Sequence, residues 1–309
     1  MLKVGVQSGP WYNENDPDGS FRYIRDCGFE AVDFNIDTKL PGDSIRKGPL
    51  TTFFDQSIEE LIEFYRPMKE AAEKYGVTIS QMHAPFPLWI KDNDAVNDYI
   101  IMVVDKICAV CAYVGCPALV VHPITLPDKD EEIAVNLAMY RRMAPSGKKY
   151  GVKLCLENLF VSFRGRMIEG ACTDPQEACW YLDTLNAEAG ADVFGFCFDV
   201  GHANLTARNI QKYLKCIGKR LTILHIHEND GTGDLHMIPY THTHNNGKDP
   251  NCDWEGFING LSAIGYEGVL SFETFRVLGN FPQPLHTDAL RLISAIGHYF
   301  AARIDAPAE

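Results

Sequence analysis

The sequence predicts an α/β protein built as a single-domain (β/α)8 TIM barrel over residues 1–309. Three observations carry this reading. Eight short, β-rich apolar runs alternate with eight helical stretches, which implies parallel strands joined by right-handed crossovers. Glycines stand where helices must stop before the next strand, at Gly28, Gly76, Gly115, Gly151 and Gly265. No linker or low-complexity segment divides the 309 residues, although about 150 residues per domain would suggest two domains. The alternative, a doubly wound open sheet, is weakened because no strand is followed by a GxGxxG turn.

The strand candidates are Lys3–Ser8, Ala31–Asn35, Thr78–His83, Ala118–His122, Val152–Glu157, Gly195–Asp199, Thr222–His227 and Val269–Glu273. Helical stretches are expected around 20–27, 57–75, 94–114, 129–149, 174–188, 207–217, 253–264 and 286–303. Ser57 followed by Glu60 reads as a capping box, and Asp174-Pro175 as a cap residue before an N1 proline. The acidic run DKDEE at 128–132 suits the positive end of a helix dipole.

Composition bounds the function. A hydrophobic fraction of 46% and a charged fraction of 22% describe a globular protein, not a disordered one. The net charge of −13, from 41 acidic against 28 basic residues, argues against a broad grip on nucleic acid. The apolar stretch 100–121 is interrupted by Asp105 and Lys106 and broken by Gly115 and Pro117, so it reads as a buried helix and strand. No membrane association is expected. The N-terminus lacks a secretory pattern, and ten scattered cysteines read as reduced thiols of a cytoplasmic protein. Cys108 and Cys111 have CxxC spacing, but no second pair accompanies them.

In such a barrel the active site forms at the C-terminal ends of the strands. Six successive predicted strands finish in an ionisable residue: His83, His122, Glu157, Asp199, His227 and Glu273. His202 follows Asp199 by three, and Asp234 and His236 lie in the loop after His227. Such groups are costly among apolar neighbours unless paired. Imidazole and carboxylate together are the usual donors to Zn, Mn or Fe. A metal centre of Glu157, Asp199, His227 and Glu273 is therefore expected. His83, His122, His202, Asp234 and His236 either hold further metals or hold substrate hydroxyls. His225 shares its strand face with His227 and reads as a deeper, supporting or core residue. His242 and His244 read as solvated or as part of a lid. Trp11, Phe86, Trp89 and Phe160 are candidates for an apolar wall.

The segments GFEAVDF, HAPF, LENL, FDVGHAN, HIHEND, DLH with a later G-x-x-x-x-x-DW, and GYEGVLSFE occur in that order. With them the chain resembles the sugar phosphate isomerase/epimerase group, the xylose-isomerase-like TIM barrels, from Val4 to about Ala302. That group includes ketose 3-epimerases and endonuclease IV. The resemblance implies that Glu157, Asp199, His227 and Glu273 are metal ligands and that His202 binds substrate. It implies that Glu157 and Glu273 act as acid and base on opposite faces of a keto-sugar or related polyol, through an enediolate. The expected cofactor is a divalent ion, Mn first, with Zn, Co or Mg as alternatives. A small-molecule sugar is the expected partner, and a homo-oligomer fits such an enzyme.

The resemblance also maps the nine ligand positions of the trinuclear nuclease site onto His83, His122, Glu157, Asp199, His202, His227, Asp234, His236 and Glu273. Acidic loops at the expected mouth speak against that activity, since only Lys39, Arg46, Lys47 and the run Arg164-Gly165-Arg166 are basic. A lyase or dehydratase using the same enolate chemistry is the other alternative. Two positions depart from the ketose epimerase pattern. Gly233 stands where those enzymes carry an arginine, and Phe163 where they carry a glutamate that contacts substrate. The loop 237–252 is also longer than usual.

Overall fold

Eight parallel strands form one barrel in the computed structural model, which describes residues 1–244 and 246–305. Asn245 of the long loop and the last four residues of the expected domain lie outside the described residues. The strands are β1 (Val4–Gln7), β2 (Ala31–Phe34), β3 (Thr78–His83), β4 (Ala118–Val120), β5 (Lys153–Glu157), β6 (Phe194–Asp199), β7 (Leu221–His225) and β8 (Leu270–Phe272). Each pairs with its neighbour in sequence, and β1 pairs with β8. Closure between β7 and β8 comes from the Ile226–Phe272 bridge. There Ile226 N donates to Ser271 O at 2.9 Å and Glu273 N to Ile226 O at 3.0 Å.

The outer helices are α1 (Pro17–Asp26), α2 (Ile58–Tyr75), α3 (Asp94–Val114), α4 (Lys129–Tyr150), α5 (Pro175–Ala189), α6 (Ile210–Ile217), α7 (Trp254–Ile264) and α8 (His286–Asp305). The expected start signals are in place. Ser57 and Glu60 form the reciprocal capping box of α2, and Asp174 accepts from Gln176 N ahead of Pro175. Gly76, Gly115, Gly151 and Gly265 end their helices in the left-handed conformation, a backbone state costly for other residues. Among the described residues no helix is long and apolar enough to cross a membrane.

Three boundaries differ from the sequence reading in a way that matters for the site. β4 stops at Val120 and β7 at His225, so His122 and His227 sit two residues beyond their strands, and Glu273 sits one beyond β8. Single backbone bonds continue just past these ends, as from Val121 N to Cys155 O at 2.9 Å and from Glu273 N to Ile226 O at 3.0 Å. Two of the elements that were not expected border the mouth. A hairpin, Phe160–Phe163 against Arg166–Glu169, rises from the end of β5, and a short helix, Val200–Leu205, follows β6 directly.

Two apolar layers position the mouth. The larger lies between sheet and helices. A smaller one fills the barrel interior with Ala118, Val120, Cys155, Cys197 and Ile223. Side chains alternate along a strand, so the next inward residues after Cys155, Cys197 and Ile223 are Glu157, Asp199 and His225. The apolar plug thus forms the floor of a polar chamber.

Candidate functional site

The chamber holds five carboxylates and six histidines in one connected network. Glu157 lies at its centre. Its Oε2 is 3.0 Å from His122 Nε2, and its Oε1 is 3.0 Å from His202 Nδ1 and 3.5 Å from His225 Nδ1. Asp199 Oδ2 lies 3.1 Å from His227 Nε2, and its other oxygen caps the following short helix by accepting from His202 N at 2.6 Å. Asp234 bridges the outer histidines, 2.8 Å from His236 Nε2 and 3.8 Å from both His202 and His227. Glu273 Oε2 is 3.6 Å from His225 Nδ1 and 3.5 Å from His236 Nδ1, and Gln7 Nε2 donates to Glu273 Oε1 at 2.9 Å.

Asp33 is the fifth carboxylate, and the sequence reading missed it. It is fully buried, 2.9 Å from His83 Nε2, and accepts from Gln81 Nε2 at 3.1 Å. A signal was available: Asp33 is an acid inside the apolar run AVDF on an expected strand. Gln7 and Gln81, also missed, occupy the same depth on β1 and β3.

All nine expected polar residues are therefore gathered, but His225 holds a more central place than a supporting role suggests. Its Nδ1 comes within 3.8 Å of Glu157, Asp199 and Glu273, whereas His227 sits with Asp199, His202, Asp234 and His236. Barrel shear staggers adjacent strands, so a residue one step deeper on β7 still meets the end residues of its neighbours. The ring of His227 packs against Gly201, where an added Cβ would lie 1.9 Å from its Cε1. The glycine in FDVGHAN is thus a matter of room for an imidazole.

The aromatic candidates divide. Phe86 packs edge-on against His122 at 5.1 Å and Phe160 against His202 at 4.9 Å, so both stand at the rim. Trp11 donates its indole N–H to Gln7 O at 2.8 Å and packs against Phe21. Trp89 sits in a groove with Asn97, Ile101 and Met139 of α3 and α4. Phe275, which the sequence reading did not single out, contacts His236 at 4.9 Å. His244 is exposed, 3.8 Å from Asp249, away from the chamber.

Electrostatics bind the network together. Among the described residues, every ion-pair partner of Asp33, Glu157, Asp199, Asp234 and Glu273 is an imidazole. Burial opposes charge on His83, yet Asp33 pushes its pKa up to about 9. Burial likewise opposes charge on His202, and Asp199 and Glu157 push it up to about 10. Burial alone would raise the Glu157 carboxyl, but His225 and His122 hold it well below the usual range. Asp199, lowered by His202 and His227 against its burial, and Asp234, lowered by His236 and His202, follow the same rule.

Several buried polar atoms in the chamber have no hydrogen-bond partner: both nitrogens of His225, His122 Nδ1, His227 Nδ1, Asp33 Oδ1 and Asp234 Oδ1. Orphaned buried polar atoms are rare in native proteins. Triads such as Asp199–His202–His227, His227–Asp234–His236 and Asp199–His225–Glu273 bring their donor atoms within 4.8 Å of one another. Imidazole nitrogens and carboxylate oxygens so arranged fit a divalent cation.

The family model for the xylose isomerase-like TIM barrel matches residues 21–296. The chain belongs to this family. Among curated relatives of this xylose isomerase-like barrel, the uncharacterized protein y4fM of Sinorhizobium fredii is 34% identical over 113 residues, 35% of this chain and 34% of that one. The uncharacterized protein MJ1311 of Methanocaldococcus jannaschii is 28% identical over 163 residues, 50% of each chain. The matches thus span a third to a half of these relatives' length. The fold is similar to that of 3-keto-D-glucoside 4-epimerase YcjR from E. coli, at TM-score 0.67 and 18% identity over 96% of this chain and 100% of that one. L-ribulose 3-epimerase matches at TM-score 0.66 and 16% identity over 100% of both chains.

Proposed function

We propose that this barrel is a divalent-metal-dependent sugar isomerase or epimerase that moves a proton on a keto-sugar or related polyol. One observation carries the reading: Glu157 on β5 and Glu273 after β8 flank a single buried imidazole atom, His225 Nδ1, at 3.5 and 3.6 Å. Two carboxylates facing one chamber from different strands suit removal of a proton from one face of a carbon and return to the other. The ketose epimerase names among proteins of similar fold support the substrate class.

Glu157, Asp199, His227 and Glu273 would hold the cation, with Mn expected first. Such an ion, when bound, supplies a Lewis acid that polarises a carbonyl and acidifies the adjacent C–H. Glu157 and Glu273 take and return the proton. His202, His83, His122, Asp234 and His236 orient hydroxyls. Trp11 contributes only its ring, because its N–H is engaged by Gln7 O. Phe86, Phe160 and Phe275 offer apolar surface at the rim. Phe163 is 54% exposed on the hairpin, so substrate recognition at the position where ketose epimerases carry a glutamate takes a different form here.

A nucleic-acid substrate is disfavoured by the mouth. Lys39 is paired with Glu14 and Lys47 with Asp43, Arg46 and Arg164 lie over Phe86 and Phe163, and the net charge of −13 opposes a phosphate backbone.

The test is solvent exchange. Wild-type protein with Mn(II) and a panel of ketoses in heavy water is expected to incorporate deuterium at the carbon beside the carbonyl and to yield an epimer or isomer. Glu157→Gln and Glu273→Gln are each expected to lower turnover at least a hundredfold with the fold intact by circular dichroism. Near-normal turnover in either variant rejects the proton-transfer roles. Loss of water from the substrate in place of epimer formation moves the assignment to the lyase class.

A further inference from the structure

We propose that Glu228 is a positioning residue whose carboxylate clamps the loop after β7 so that Asp234 and His236 stay in the chamber. The proposal rests on the functional reading above for what those two residues do, and on hydrogen bonds alone for the clamp. Glu228 follows His227 and is fully buried. Its backbone bridges to Met237 in both directions, with Glu228 N to Met237 O at 2.8 Å and Met237 N to Glu228 O at 2.9 Å. This closes off the segment 229–236, which contains Asp234 and His236. The carboxylate then ties the rest of the loop. Oε2 accepts from Tyr240 N at 2.6 Å and from Trp254 Nε1 at 2.8 Å, and Oε1 accepts from Cys252 N at 3.1 Å.

One side chain thus joins the front of the long loop at Tyr240, its end at Cys252 and the start of α7 at Trp254. Asn229 adds a second tether, donating to Gly201 O at 2.8 Å and accepting from Asn204 Nδ2 at 2.9 Å, which fixes the loop to the short helix carrying His202. The clamp has a task. His236 has φ of +52°, a left-handed backbone that non-glycine residues hold only when their surroundings impose it. Its ring meets Glu273 O at 3.0 Å and Asp234 Oδ2 at 2.8 Å only in that pose. A neutral amide at position 228 has one acceptor oxygen for three N–H donors, so at least one donor is stranded and the imposed pose is released.

Hydrogen exchange on the metal-free protein tests the clamp without reference to activity. In Glu228→Gln the amides of 231–240 are expected to exchange at least tenfold faster, with those of β1 to β6 unchanged. Glu228→Asp, which keeps both oxygens on a shorter arm, is expected to restore part of the protection, and it serves as the test variant if Glu228→Gln does not fold. Equal exchange in variant and wild type, or uniform acceleration through the barrel, overturns the proposal. Steady-state kinetics on a ketose that the wild type turns over supply the second readout. KM in Glu228→Gln is expected to rise at least tenfold, through the lost pose of Asp234 and His236, with Mn(II) affinity near that of wild type. A wild-type KM in Glu228→Gln also overturns it. A wild-type protein that binds no divalent cation refutes the functional reading, while the exchange comparison still decides the clamp.

Discussion

Gly201→Ala is the sharpest small perturbation of the candidate site. A Cβ at this position would lie 1.9 Å from Cε1, 2.4 Å from Nδ1 and 2.6 Å from Nε2 of His227. Carbon atoms settle at about 3.5–4.0 Å, so the ring must retreat by roughly 1.5 Å or more. That movement breaks the 3.1 Å approach of His227 Nε2 to Asp199 Oδ2. Overpacking costs about 1–3 kcal/mol, and the gain in helix propensity from Gly to Ala within Val200–Leu205 offsets about 1 kcal/mol. The net loss of stability is therefore about 0–2 kcal/mol, small beside the expected loss of function. Displacing a ligand's ring or its support lowers metal affinity by roughly 10–100-fold. Calorimetric titration of Mn(II) into chelator-treated Gly201→Ala and wild-type protein, with urea melts of both, measures the two quantities separately. A variant that binds Mn(II) as tightly as wild type refutes the assignment of His227 as a ligand. A variant too unstable to fold refutes the packing estimate.

Three further outcomes are expected. The metal-free protein should lose stability as pH rises from about 6.5 toward 10, because His83 and His202 have folded-state pKa values of about 9 and 10 and their contribution is complete only below the unfolded value. It should also lose stability as pH falls below about 4, where Glu157, Asp199 and Asp234, all held low in the fold, take up protons; thermal melts with chelator from pH 3 to 10 check both limbs. Mn(II) binding should tighten with rising pH and release protons, since the cation must displace them from imidazoles; calorimetry in buffers of different ionisation enthalpy reads the proton count. Ser57→Ala should cost about 1 kcal/mol in a urea melt by removing the α2 capping box, with Mn(II) affinity unchanged.

The fold was legible because the signals that specify it are local and repeated. A capping box at Ser57, a cap and N1 proline at Asp174-Pro175, and glycines at the ends of four helices each act within one turn of chain. The site was legible at Glu157 and Asp199 because strands β5 and β6 end on them and period-two counting carries through. It was less so at Asp33 and His225, whose importance depends on which neighbouring strand they meet. That is set by barrel stagger, which no single strand encodes. The loop tied by Glu228 was also not readable. Its hydrogen bonds run between residues such as Glu228 and Trp254, 26 positions apart, without a periodic pattern.

The chamber's composition bears on how so many buried carboxylates are tolerated together. Burying five carboxylates together would be prohibitive if each remained charged and unpaired. Here every one of them meets an imidazole, and the imidazoles whose pKa values shift do so upward. Protonated rings offset the charge of the carboxylates. Under the proposed function a divalent cation would compete with those protons for the pocket. This is why histidine suits the chamber better than lysine or arginine. A permanent cation would neutralise the carboxylates as well, but it could not leave when a metal arrives. The same exchange requires that the rings be held in place by something other than the ion, a role filled by Gly201 against His227 and by the Glu228 clamp behind His236.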